Sequence, residues 1–329
     1  MSKRVRLVAL FVLVIAAGAW LGAQEQPPAK TQEFWIQRAP GGKGYVAPNK
    51  PHHKISEVKA KHKGQPNWRE TVVKDGEATA EYVSVAPGGK QSPRLHPAVP
   101  TLWVVFEGEM RWQIENQEPF TAKRGSMVHV PAWTIFSYES VGTVPAVFIE
   151  VNAAHMEPVF PATSPAPAAL PGRVVTKMHF NERTPTPYVA PNRPHFNLHD
   201  SVAAGRGGGV FINTPHMYAN ANFGFADPND PANPNRGRGG RGRGAAPPIH
   251  TINPAAPGGH LHPDNVEWWI VLTGQIEAKF EAGHFIASEG DVLYAPPYML
   301  HAMANYGPGG SCRIAIGWYN PEHFDPVAP

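Results

Sequence analysis

Two stretches of this chain alternate apolar and polar residues in the same phase and can be laid on one another. After Gly108 the inward candidates are Met110, Trp112 and Ile114; after Gly274 they are Ile276, Ala278 and Phe280. A period of two is that of a strand with one face buried. The run LWVVFEGEMRWQI at 102–114 thereby matches WWIVLTGQIEAKF at 268–280. Beyond the first 23 residues no window carries a long helical period, and 37 prolines and 32 glycines punctuate the chain throughout. The pattern predicts an all-β protein.

The match extends into an internal repeat. YVAPNKPH at 45–52 returns as YVAPNRPH at 188–195, and NAAHMEPV at 152–159 returns as NPEHFDPV at 320–327. Such self-similarity makes the chain two copies of one β-unit. The first pair is separated by 143 residues and the strand pair by 166. The second copy has therefore gained more than twenty residues, which fall in the Gly-, Pro-, Asn- and Arg-rich segment 226–248. That composition cannot build a core and reads as a solvated flexible loop, one strand upstream of His260. The predicted organisation is a presequence at 1–23, an N-terminal domain at 24–163, a Pro/Ala-rich linker at 164–172 and a C-terminal domain at 173–329. Some 300 mature residues suffice for two β-domains with a core each.

The ends and the charge add a compartment. Met-Ser-Lys-Arg-Val-Arg followed by an apolar run from Leu7 to Leu21 reads as a secretory signal peptide, so the mature protein is expected to be secreted or periplasmic. The run is short for a stable span, and none is expected after cleavage. Removing Lys3, Arg4 and Arg6 cancels the formal +3 and removes the electrostatic case for nucleic acid. The Arg-Gly tract carries no interleaved aromatic platform, so it does not restore that case. With Cys312 as the single cysteine there is no internal disulfide, and its place before RIAIGW reads as a small buried apolar residue.

The chemistry concentrates in HLHPDNVEWWIVLTG at 260–274 and GDVLYAPPYMLHAMAN at 290–305. His260 and His262 are two apart and share a strand face; Glu267 and His301 complete a set of three imidazoles and one carboxylate. Such borderline donors suit one divalent transition metal per chain, drawn from Mn, Fe, Ni, Cu and Zn, and suit Ca or Mg poorly. The blocks read H-x-H-x4-E-x6-G and G-x5-P-x4-H-x3-N, which resemble the two signature motifs of the cupin superfamily. Tyr298 departs from the pattern, since the family usually has glycine there. Asn305 reads as a structural residue at the end of its strand. In the first copy Arg94, His96, Thr101 and Phe136 stand at the four ligand positions, so that copy is expected to be scaffold, with Arg94 buried and paired and no metal. It would cover apolar sheet of the second copy, as one subunit of a single-cupin dimer would.

The resemblance covers nearly the whole mature chain as a bicupin, and implies two tandem β-barrel, jelly-roll domains with the metal inside the second. A site with four protein ligands in an octahedral arrangement keeps positions open for water, substrate or dioxygen. By parity Trp269, Val271 and Met303 line the pocket, with Tyr298 and Met299 at the turn into the last ligand strand, and Tyr298 is the candidate to orient a ligand or donate a proton. An apolar, aromatic wall with the metal as its main polar group suits a small, aromatic or oxygen-chelating substrate. Three readings follow: a dioxygenase-like oxidoreductase, a redox-neutral isomerase or decarboxylase, and a non-catalytic binder. Among secreted bicupins, oxalate decarboxylases carry a substrate-binding arginine three places before the first ligand histidine. Pro257 stands there, which argues against oxalate.

Overall fold

The computed structural model describes residues 35–39, 41, 44–97, 99–153, 157–179, 183–233, 259–263, 265–281, 283–317 and 324. Residues 1–23, read from sequence as a signal peptide, and most of the segment 226–248 lie outside this set. Among the described residues no helix is long and apolar enough to cross a membrane.

Two large and two small antiparallel sheets carry the fold. One six-stranded sheet runs His195–Asn197, Ser126–Val130, Thr101–Glu107, Ala146–Ala153, Ala78–Val85, Trp68–Lys74 from edge to edge. Its counterpart runs His52–His53, Val292–Ala295, Glu267–Thr273, Ser311–Gly317, Met217–Gly224, Gly209–Thr214. Against the lumenal face of the first lies a four-stranded sheet of Lys90–Arg94, Phe136–Ser140, Glu109–Ile114 and Phe120–Lys123. Against the second lies a three-stranded sheet of Gly283–Ser288, Gln275–Phe280 and His301–Tyr306. These are two double-sheet sandwiches of the jelly-roll kind.

Burial explains the sequence texture. Glu267–Thr273 is buried at its five central positions because the strand is covered on both sides. Trp268, Ile270 and Leu272 enter a core shared by both large sheets, whereas Trp269 and Val271 enter the C-terminal lumen. Gln275–Phe280 alternates because its other face meets solvent. The shared core also holds Leu102, Val104, Ile149 and Val151 from the N-terminal sheet, so the two sandwiches pack back to back through their large sheets. Burial of this apolar face is what the first copy contributes to the second, at ~25 cal/mol per Å² of apolar surface removed from water.

The edge strands are exchanged. His52–His53, from the first copy, pairs with Val292–Ala295 of the second, and His195–Asn197, from the second, pairs with Ser126–Val130 of the first. The repeated YVAPN(K/R)PH motif thus serves each time as the outermost strand of the other copy's sheet, and closes its edge. The two exchanges are equivalent bond by bond. Tyr294 N–H donates to the Pro51 carbonyl and His129 N–H to that of Pro194. His52 Nε2 lies 2.8 Å from Asp291 Oδ2, and His195 Nε2 lies 2.9 Å from Ser126 Oγ. Arg124 forks onto Glu289 at 2.6 Å across the same seam. The two short helices, Ile55–Lys61 and Leu198–Ala203, follow the exchanged strands and seat Val58 and Leu198 in the shared core. Cys312 is buried there too, and burial pushes its thiol up to about 12, as expected of a residue used for packing. Residues 164–172 form no helix or strand.

Candidate metal centre

The candidate ligands come from three places in the C-terminal sandwich. His260 is held by reciprocal backbone hydrogen bonds with His301, 3.0 Å each way. The approach is so close that a Cβ on Gly259 would fall 2.1 Å from the His301 carbonyl oxygen, and its φ is +104°, so glycine is required there. His262 follows two residues later on the same face, its carbonyl accepting from Tyr298 N–H at 2.7 Å. Glu267 opens its strand and His301 opens another. One donor atom from each of the four lies within 4.8 Å of all the others. Atoms ~2.1 Å from a common centre are at most ~4.2 Å apart, so the set is close to coordinating geometry.

The protonation states suit a cation. Nδ1 of His301 lies 2.8 Å from the Met299 carbonyl, which can only accept, so Nδ1 carries the proton. Burial pulls the His301 pKa down against the pull of Glu267, which favours the neutral ring that a metal requires. Burial would raise the Glu267 carboxyl, but hydrogen bonds from His260, His262 and His301 outweigh it and hold the group well below the usual carboxylate range. Glu267 Oε2 stands 2.9 Å from His262 Nε2, 3.1 Å from His301 Nε2 and 3.6 Å from His260 Nε2. Three imidazole nitrogens and a carboxylate oxygen converge at these distances, and a divalent ion among them would take the place of the imidazole protons and be ligated by the set. The donors present fit a transition metal. His262 and His301 are 1% and 2% exposed at their side chains while His260 is 24% exposed, so the site opens on the His260 side.

The other pocket candidates fall around it. Trp269 sits edge-on to His301 at 5.0 Å, and Val271 and Met299 join the lumenal core, with Met303 packed against it. Tyr298 lies beside His262 through its backbone, in the left-handed region at φ 67°. That is the physical content of the glycine expected at this position. Asn305 accepts from Ser311 Oγ at 3.0 Å, a link between strands.

The N-terminal positions also come together. Arg94 pairs with Phe136 in the strand register as His260 does with His301. Phe136 occupies the middle, 4.9 Å from Trp103 and 6.0 Å from the His96 ring, with the Arg94 guanidinium 5.3 Å above it. Arg94 is bound to Glu150 at 2.7 Å in the interior. Burial opposes this carboxylate, but Arg94 and Arg69 hold it down at about 2. Burial, then Arg94, pulls His96 down to about 4. Thr101 is buried.

One lumenal group escaped the sequence reading. Arg313 lies opposite Val271 on the neighbouring strand, on the lumenal face, and its Nε is buried without a hydrogen-bond partner. The polar letter in RIAIGW was the signal, but only the register shows which way it faces. The expectation that the metal is the main polar group of this lumen is corrected by it.

Residues 81–152 and 249–317 match the family model described as Cupin domain. No curated protein matches the sequence. Among solved structures, a salicylate 1,2-dioxygenase from Pseudaminobacter salicylatoxidans superposes with TM-score 0.53 at 10% identity, covering 93% of this chain and 92% of that one. An oxalate decarboxylase variant from B. subtilis gives TM-score 0.46 at 14% identity, covering 92% and 89%. A cupin 2 conserved barrel protein from Leptotrichia buccalis gives 0.46 at 10%, covering 83% and 97%. At these identities the likeness is one of fold.

Proposed function

Because this chain is a bicupin, with two cupin domains in tandem, we propose that it is an exported metal-dependent oxidoreductase of the dioxygenase type. It acts in the C-terminal lumen on a small, aromatic or oxygen-chelating molecule. The observation that carries this reading is the convergence of His260, His262, Glu267 and His301 within 4.8 Å, with Trp269 edge-on to His301 and His260 the ligand most open to solvent. A bound Mn, Fe, Ni or Cu ion would supply Lewis acidity and redox chemistry. The chain's own residues do the rest. Glu267 and the three histidines hold the ion, Trp269, Val271, Met299 and Met303 keep water out, and Tyr298 orients the ligand or gives a proton to it. The neighbour named as a salicylate 1,2-dioxygenase shares the fold, and supports the reading at that level only.

The test is oxygen uptake by mature protein of measured metal content, loaded in turn with each of these ions, against catechol-like and flavonol-like compounds. Metal-dependent uptake that disappears in the His260→Ala/His262→Ala variant is expected. Stoichiometric metal with no uptake for any ion would leave a redox-neutral enzyme or a binding protein in its place.

A further inference from the structure

Among the described residues, the C-terminal lumen contains a cation with no anion in contact with it. Cys312, Ile314 and Ile316 point into the shared core, so Arg313, between the first two, points into the lumen. Its Nε is buried, and among the described residues its guanidinium makes no hydrogen bond or ion pair. Across the ladder from it stands Asn222, which accepts from Asn220 Nδ2 at 3.2 Å; Met217, Ala219 and Ala221 of that strand face the shared core, so both asparagines face the lumen. Burial depresses the Arg313 pKa, the charge of Glu267 opposes that, and a guanidinium stays protonated regardless. The two charges therefore act on each other without a hydrogen bond between them.

A half-buried arginine is costly unless an anion meets it. Glu267 cannot fill that role while it ligates a metal. We propose that Arg313 is the carboxylate-binding residue of this lumen, so that the substrate is a small, largely apolar carboxylate held between the guanidinium fork and the metal. Asn220 and Asn222 offer further amide donors on the same wall, and the opposite wall of Ile276, Ala278, Phe280 and Met303 takes the apolar body. The inference rests on the metal-site reading for one end of the ligand and on Arg313 alone for the other.

The test compares 2-hydroxybenzoate with 1,2-dihydroxybenzene, which chelates through two oxygens but has no carboxylate. Binding is followed by calorimetry on metal-loaded wild type, Arg313→Gln and Arg313→Lys, with the metal content of each measured. Wild type is expected to prefer the carboxylate at least tenfold. Arg313→Gln should lose that preference while keeping its metal and its affinity for 1,2-dihydroxybenzene, and Arg313→Lys should restore only part of it, because a point charge cannot fork. A wild type without preference, or a glutamine variant that keeps it, overturns the proposal. A preference that persists in protein holding no metal would sink the metal reading and leave Arg313 standing. Stability gives a second readout: Arg313→Met, freed of an uncompensated charge, should show a higher urea midpoint than ligand-free wild type. A lower midpoint would mean that the arginine is structural.

Discussion

In the N-terminal lumen Glu150 stands opposite Trp103; at the equivalent place opposite Trp269 the C-terminal lumen has Ala315. The next lumenal position along the same strand is Phe148 in one copy and Arg313 in the other. At the strand opening, Phe136 stands where His301 does. The first lumen has its arginine paired with its own carboxylate, and an aromatic ring fills the space between the ligand positions. The second has three imidazoles converging on one carboxylate and, among the described residues, an arginine with no hydrogen-bond or ion-pair partner. One strand plan therefore gives an aromatic-filled core where arginine and carboxylate pair, and a set of converging ligands beside an unpaired arginine where that ring and that carboxylate are replaced.

Metal content separates the two most sharply. The His260→Ala/His262→Ala variant should fall from one metal per chain to none by elemental analysis, whereas His96→Ala should leave the stoichiometry untouched. Metal kept by the first variant, or lost from the second, would reverse the assignment of roles.

Stability is expected to invert that pattern. Glu150→Ala strands the Arg94 guanidinium, 7% exposed, without its partner. Breaking a buried pair on one side costs ~3–5 kcal/mol, so the urea midpoint should drop by a matching amount with metal content preserved. A loss under ~1 kcal/mol would mean that water reaches Arg94 and that the first lumen is not dry.

Acid sharpens the contrast further. His96 titrates at about 4 in the folded protein against an ordinary 6.5, so the unfolded chain binds the extra proton between those values. Its contribution is present above pH 6.5 and is lost as pH falls towards 4, for a loss of ~3 kcal/mol. Glu150, held at about 2 against 4.5, adds a further loss from 4.5 down to 2, of the same sign. Denaturant titrations of metal-free His96→Phe against metal-free wild type should differ most in slope between pH 6.5 and 4. Parallel curves there would show that His96 does not titrate as its burial requires.

What could be read from the chain follows from how local each signal is. The four candidate ligands lie in two short motifs whose spacing encodes their geometry, and the alternation after Gly108 and Gly274 encodes the lumenal strands. The degenerate positions of the first copy follow from the repeat. The exchanged edges were not legible, because His52 and His195 sit in motifs that differ only at Lys50 and Arg193 and can pair with either copy's sheet. Nor was Arg313, whose meaning depends on a strand register and on the lack, among the described residues, of an acid in contact with it. The need for Gly259 depends on a backbone contact with a residue far along the chain.

Tyr298 and Trp133 close the comparison with the smallest effect. Both hold positive φ, 67° and 62°, and both donate a backbone N–H to a histidine carbonyl, His262 at 2.7 Å and His96 at 2.8 Å. A left-handed non-glycine residue costs ~1–2 kcal/mol. Glycine relieves that but loses ~0.5–1 kcal/mol to unfolded-state entropy, so Tyr298→Gly should raise stability by about 0.5 kcal/mol with metal content unchanged. Guanidinium denaturation measures it, and a clear fall would show that the phenol ring itself holds the turn together. A rise would leave folding with no reason to prefer tyrosine beside His262. Any loss of turnover in the same variant would then be assigned to contact between the ring and the ligand, since a role in folding would have shown as lost stability.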